Sequence, residues 1–173
     1  MIAKTKWIER KFDFTFPLGL FPCILERLRG TPARLFEMTG SMPDEIAGKK
    51  MNDGWSIKEH IGHLSDLEEL HEGRIDDFLS GLKTLCAADM QNRKTYQAGH
   101  NSKSVQALLN QFRERREKFV KRLGQLSEKE VSLVSFHPRL KQPMRLVDMA
   151  FFTAEHDDHH LASVTELIET YKV

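Results

Sequence analysis

Cysteine is nearly absent from this chain of 173 residues: Cys23 and Cys86 stand far apart, with no C-x-x-C spacing. That excludes a disulfide framework and a cysteine zinc site, and it points to a reducing cytoplasm as the setting. Long apolar runs are missing too. No stretch approaches the roughly 20 apolar residues of a membrane span. Met1–Phe12 interrupts its hydrophobic residues with lysines, so no signal peptide is expected. Neither sign of charge prevails: 26 basic residues meet 25 acidic ones, for a formal net charge of +1. Nucleic acid and anionic membrane surfaces therefore find no electrostatic footprint and are not expected as partners. Strand-like alternation is confined to Phe12-Asp-Phe14-Thr-Phe16, and there are no repeats. The expectation is a single domain over 1–173, long enough to bury a core.

What the sequence does have is helical periodicity. Residues 1–21 read as an extended arm whose aromatics, among them Trp7, Phe12 and Phe16, pack across the body. Residues 22–42 carry a helix, with Gly30-Thr31-Pro32 predicting an interruption or restart at Pro32. The stretch from Gly40 to Gly54 reads as a loop. Ser56-Ile-Lys-Glu59 is a capping box opening a helix over 55–82, with Trp55 before it. Its core stripe is Ile57, Ile61, Leu64, Ile75, Phe78 and Leu82; beside it runs a line of His60, His63, Leu67, Leu70 and Arg74. Asp66–Glu72 reads as a mostly solvated acidic face. Residues 83–101 form a long connection, 104–126 a third long helix, and Ser127–Glu130 a second capping box. Residues 135–144, with Pro138 and Pro143, read as a crossing loop before a last helix over 146–171. Long amphipathic helices with so little strand signal predict an all-α four-helix bundle, and the two long loops permit a non-sequential topology.

The chemistry concentrates in the last helix, in Phe152-Thr-Ala-Glu-His156-Asp-Asp-His159-His160. His156 and His160 stand one turn apart on a stripe otherwise formed by Met149, Phe152, Val164 and Leu167. An i, i+4 pair brings Cβ atoms to about 5–6 Å, close enough for two imidazoles to share one metal ion. A lone inward histidine is more often a hydrogen-bonded core residue; two on one apolar stripe each need a polar partner inside. His63 is the best third donor on a facing helix and His60 the near competitor. Glu59, Glu155 and Asp157 are candidates to orient a ligand imidazole. Arg74 reads as an ion-pair partner or an anion binder. His159 turns away from the 156/160 line by about 60–100°, which leaves it a supporting or an exposed residue. His71 and His137 read as surface residues, while Asn92, Thr95, His100 and Asn101 are placed at a pocket mouth.

Arg29-Gly-Thr-Pro-Ala-Arg34-Leu, Trp55-Ser-Ile-Lys-Glu-His-Ile-Gly62-His63-Leu-Ser-Asp66, Ala88-Asp-Met-Gln-Asn92-Arg-Lys-Thr95 and Ala154-Glu-His156-Asp-Asp-His-His160-Leu-Ala occur in this order along nearly the whole chain. Together they resemble the DinB-like superfamily, four-helix-bundle metalloproteins that include bacillithiol transferases. The resemblance implies an up-down-down-up bundle and a three-histidine site at His63, His156 and His160, deciding between His63 and His60. It also implies one divalent metal of zinc, nickel or iron type, and a homodimer. It favours thiol S-transfer of a detoxification or stress-response kind, with a low-molecular-weight thiol as co-substrate and a small molecule as acceptor. Metal-dependent hydrolysis uses the same ligands, and a non-catalytic metal-binding module is the third reading. His156-Asp-Asp-His-His160 differs from the zincin H-E-x-x-H, because Asp157 is one methylene shorter than the glutamate that motif requires.

Overall fold

A computed structural model describes residues 3–171; Met1 and Ile2 of the arm and the last two residues of the chain lie outside it. In chain order the elements are α1 (Phe21–Thr39), α2 (Asp44–Ala47), α3 (Ile57–Leu79), α4 (Arg93–Gln97), α5 (Val105–Leu123), α6 (Glu128–Val131), strands β1 (Val134–His137) and β2 (Gln142–Arg145), and α7 (Leu146–Tyr171). Short 3-10 turns at Trp7–Glu9, Leu18–Leu20 and His100–Ser102 complete them.

Local signals in the sequence set several boundaries. The Ser56 hydroxyl accepts from Glu59 N–H, and the Glu59 carboxylate accepts from Ser56 N–H, so two otherwise unpaired donors of α3 are satisfied reciprocally. Trp55 packs on His60 at a centroid distance of 5.5 Å, stapling the chain as it enters the helix. Ser127 and Glu130 repeat the device at α6. Leu82, expected in the core stripe, lies beyond the end of α3 and is half exposed.

The expected break at Pro32 does not occur: α1 runs through it. A proline inside a helix leaves the carbonyl four residues earlier without its donor. Here that carbonyl belongs to Leu28, and the Arg116 guanidinium donates to it at 3.4 Å. The crossing loop expected over 135–144 is a two-stranded antiparallel hairpin, pairing Val134 with Arg145 and His137 with Gln142. Gln142 and Arg145 donate to the carbonyls of Phe12, Phe14 and Phe16, tying the arm to the hairpin. Among the described residues the arm is extended between its turns and forms no strand.

The long helices form a ring in which α1 touches α5 and α7, and α3 touches the same two. Pairings give the directions. Ser65, Glu68 and Glu72 of α3 meet Arg115, Arg116 and Arg122 of α5 in parallel order. Leu28 and Phe36 of α1 meet Arg116 and Arg113 in the opposite order. His60 and His63 run antiparallel to His160 and His156. The bundle is therefore up-down-down-up, as the resemblance implies.

Its apolar interior falls into two clusters, one centred on Leu28, Phe78, Phe119 and Met149, the other on Leu35, Ile61, Phe112 and Val164. Each fully buried side chain of this size contributes roughly 1.5–3 kcal/mol. Between the clusters lies a polar layer with one residue from each long helix: Thr31, Glu68, Arg116 and Asp157. Arg116 forms ion pairs with Glu68 and Asp157, and Thr31 donates to Asp157 at 2.7 Å. Burial opposes the Arg116 charge, but the two carboxylates outweigh it and raise its pKa.

Candidate metal centre

His63, His156 and His160 come together between α3 and α7, all three buried, each offering a nitrogen within 4.8 Å of the other two. Helical geometry places them: His156 and His160 share a face of α7, and the antiparallel α3 brings His63 opposite. His160 Nε2 stands 3.1 Å from His156 Nε2. The other ring nitrogen is engaged in two of the three. His160 Nδ1 lies 2.8 Å from His60 Nδ1, and His63 Nδ1 lies 3.0 Å from Thr95 Oγ1. With each Nδ1 donating outward, the Nε2 lone pairs turn toward one point. His156 Nδ1 is buried without a partner. Desolvation pushes His63 down to about 4 and His156 and His160 well below the ordinary value, so the imidazoles are neutral near pH 7. Three neutral imidazoles, two of them held with their protons turned away, are a donor set that fits a divalent transition metal and leaves room for a further ligand.

Thr95 leads to a carboxylate. Its hydroxyl donates to Asp66 Oδ2 at 3.3 Å, and His100 Nε2 donates to the same oxygen at 2.8 Å. His63, Thr95, Asp66 and His100 form one chain of hydrogen bonds. Burial opposes the charge on Asp66, but His100, Lys94 and Thr95 together outweigh it and hold the carboxyl below the ordinary range. A Cβ at Gly62 would drive into the His100 ring, so this close approach requires the glycine beside His63. Asp66 was expected on the solvated face; Thr95 and His100 were expected only at the pocket mouth.

The carboxylates expected to orient an imidazole are engaged elsewhere. Glu59 closes its capping box and pairs with Lys50. Glu155 pairs with Arg10 and Arg27. Asp157 is fully buried against Arg116. His60 supports His160, and half-buried His159 packs its ring 5.8 Å from Trp7. Arg74 forms no ion pair among the described residues; its Nε and Nη2 donate to the Cys86 carbonyl at 3.1 and 2.9 Å. His71 and His137, read as surface residues, are buried. Asn101 accepts from the Ser56 hydroxyl.

The triad opens on a cavity of about 460 Å³. Both tryptophans of the chain flank it: Trp55 stacks on His160 and tilts over His63 at 4.6 Å, and Trp7 meets His156 edge-on at 4.9 Å. Leu67 and Leu70 give the cavity an apolar wall, and Arg74, His137 and Arg139 also face it. No helix among the described residues is long and apolar enough to cross a membrane.

The sequence matches the DinB superfamily over residues 27–164. The chain belongs to that superfamily. No curated protein matches it by sequence alone. Among solved structures it is similar to YfiT from Bacillus subtilis, described as a probable metal-dependent hydrolase with an unusual four-helix bundle topology. The TM-score is 0.79 at 19% identity, over 94% of this chain and 93% of that one. It is also similar to a mycothiol-dependent maleylpyruvate isomerase, with TM-score 0.68 and 13% identity over 86% of this chain; the match spans only 61% of that longer protein. A protein from Streptococcus pneumoniae matches with TM-score 0.62 and 13% identity over 94% of this chain and 92% of that one. At these identities the likenesses establish the fold.

The depressed histidines set an acid limit. Unfolded, each regains a value near 6.5. Below that pH the unfolded chain binds protons that the folded, metal-free protein refuses, so stability falls with falling pH, by about 1.4 kcal/mol per unit for each fully buried histidine. For His63 the loss runs from about 6.5 down to about 4. Thermal melts of chelator-treated protein should show the midpoint dropping steeply across this window, and His63→Gln should flatten the slope. A midpoint constant from neutral pH to pH 5 would contradict neutral burial.

Proposed function

We propose that this protein is a metal-dependent enzyme in which His63, His156 and His160 hold one divalent transition metal of zinc, nickel or iron type, and that it transfers a low-molecular-weight thiol to a small electrophile. The observation that carries the reading is the convergence of three neutral imidazoles on a walled cavity large enough for a substrate. A divalent cation held there favours the ionised form of a thiol or of water placed against it. The residues then define the rest. His60 and Thr95 hold two ligand rings in orientation and keep their protons on the outward nitrogens. Trp7 and Trp55 exclude water from the triad. The reaction forms a sulfur–carbon bond with loss of a leaving group from the electrophile, and the thiol proton passes to solvent.

Thiol transfer is favoured over hydrolysis by proton bookkeeping. A thiol ionises near 8.5, so about two units of stabilisation leave it mostly ionised at neutral pH; water must be brought from about 15.7 to about 7, and its attack gains from a carboxylate base. Glu59, Glu155 and Asp157, the carboxylates that could have taken a proton from water, are already engaged. The mycothiol dependence of one structural relative supports this reading, and the hydrolase description of another supports the alternative. A homodimer and a cytoplasmic location belong to the proposal and rest on the family resemblance and the scarcity of cysteine.

The test is to load the protein separately with zinc, nickel and iron(II) and assay conjugation of small thiols to chlorodinitrobenzene beside hydrolysis of a nitrophenyl ester. Conjugation that needs both metal and thiol, and vanishes in His160→Ala, is the expected result. Ester hydrolysis without thiol would establish the hydrolase reading instead. No turnover with any metal, together with a fall in stability on chelation, would leave a metal-binding module.

A further inference from the structure

We infer that the end of the cavity away from the three histidines is a carboxylate-binding subsite made by Arg74, Arg139 and His137, so that the ligand reaching the triad carries an acidic end group. This deepens the proposed function and rests on reading the cavity as the substrate site.

The three side chains share an unusual condition: each presents a hydrogen-bond donor that nothing in the described chain accepts. Arg74, only 3% exposed, spends Nε and one Nη2 proton on the Cys86 carbonyl and keeps Nη1 unengaged. Arg139 lies over the rings of Trp7 and Phe152, at 5.5 and 5.3 Å, and its Nη2 is buried without a partner. His137 is 2% exposed; its Nδ1 accepts from Leu140 N–H at 3.1 Å, which places the ring proton on Nε2, and Nε2 is buried and unpaired. Leaving one such donor unsatisfied is costly, and more so for a charged one. Arg27, Arg116 and Arg145, by contrast, each meet a carboxylate of the chain.

The acidic groups nearby do not supply the missing acceptor. Asp89 also lines the cavity, but its two oxygens accept from the backbone N–H groups of Gln91 and Arg93. Asp77 accepts from Cys86 N–H. His71, on the same wall, turns Nδ1 toward Glu68 at 3.6 Å. Burial lowers Arg74 to about 10, which still leaves it charged at neutral pH. Arg74, His137 and Arg139 line the same cavity, and two guanidiniums with an imidazole N–H match a carboxylate, whose two oxygens offer several acceptor positions.

The placement bounds the length of the ligand. Arg74 follows His63 on α3 by about 16 Å of helix rise, and Phe152, beneath Arg139, precedes His156 on α7 by about 6 Å. The subsite is thus offset along the cavity past Leu67 and Leu70. An apolar linker of about eight atoms between reacting group and carboxylate falls between these two offsets. The acidic end can belong to the thiol or to its acceptor.

The experiment titrates octanoate, and octanol as its uncharged counterpart, into metal-free protein, following the fluorescence of Trp7 and Trp55. The expected result is saturable binding with octanoate at least about tenfold tighter than octanol, and an Arg139→Gln variant that weakens octanoate by about tenfold while leaving octanol unchanged. Arg139 donates no hydrogen bond within the described residues, so this variant should fold; Arg74→Lys, which keeps the charge but loses the fork, should show a smaller loss. Equal affinity for the two probes, or octanoate binding indifferent to Arg139→Gln, would overturn the inference whatever the fate of the metal reading. Cobalt-loaded protein then assigns the source. A thiolate absorption band stronger with ω-mercaptooctanoate than with ω-mercaptooctanol places the acid on the thiol. Octanoate binding that leaves a β-mercaptoethanol band in place assigns it to the acceptor.

Discussion

Protein purified without a histidine tag is expected to carry about one equivalent of a divalent transition metal by mass spectrometry, and His160→Ala almost none. His63→Ala and His156→Ala should behave alike, because each removes one of only three nitrogens. The supporting residues should fall between these variants and the wild type. His60→Ala frees the Nδ1 of His160, and Thr95→Val frees that of His63. Each should weaken metal retention against a chelator by roughly 10–100-fold without abolishing it, the usual effect of losing a partner that orients a ligand. His71→Ala, two turns further along α3, should retain the metal. Full occupancy in a His63→Ala, His156→Ala double variant would refute the assignment.

Arg116→Ala should be the most destabilising single change in the bundle. The guanidinium holds Glu68 and Asp157 and caps the carbonyl that Pro32 leaves open. Removing it strands two buried carboxylates, and breaking a buried pair from one side typically costs about 3–5 kcal/mol. Urea unfolding followed by circular dichroism would read this as a lower midpoint at unchanged slope. Replacing Arg116, Glu68 and Asp157 together by apolar residues of similar volume should recover much of the loss, because no charge is then left unpaired. A loss below about 1 kcal/mol for Arg116→Ala would mean that water or neighbouring groups already satisfy the carboxylates.

The sequence made the long helices and the triad readable for one reason: both follow the 3.6-residue period. His156 and His160 announce themselves by spacing, and the resemblance decided His63 over His60. Features that depend on other elements were hidden. Thr95 and His100 reach the site from a connection without periodicity, and Asp66 looked like one more charge on an acidic face. The hairpin was hidden by its own turn. Lys141 takes the left-handed conformation there, at φ 53°, where glycine or asparagine would have signalled a turn. Pro143 argued against a strand, although β2 lies at the edge of the ribbon, where a proline is tolerated. Pro32 misled because its cost is met by Arg116, a residue more than eighty positions away. His137 and His71 were read as exposed because nothing in their neighbourhoods showed the walls that bury them.

The hairpin and the arm bear on how such a protein diversifies. The triad stands on α3 and α7, whose spacing the bundle core holds fixed. Trp7, His137 and Arg139 are delivered by segments laid on from outside and joined through Arg145 and Gln142. On the proposed function, reactivity and ligand choice would thus belong to separate modules of one chain. Exchanging residues 134–145 for a hairpin of another length or charge should re-address the cavity to a different end group while the histidines, and the ion they are proposed to hold, stay where they are.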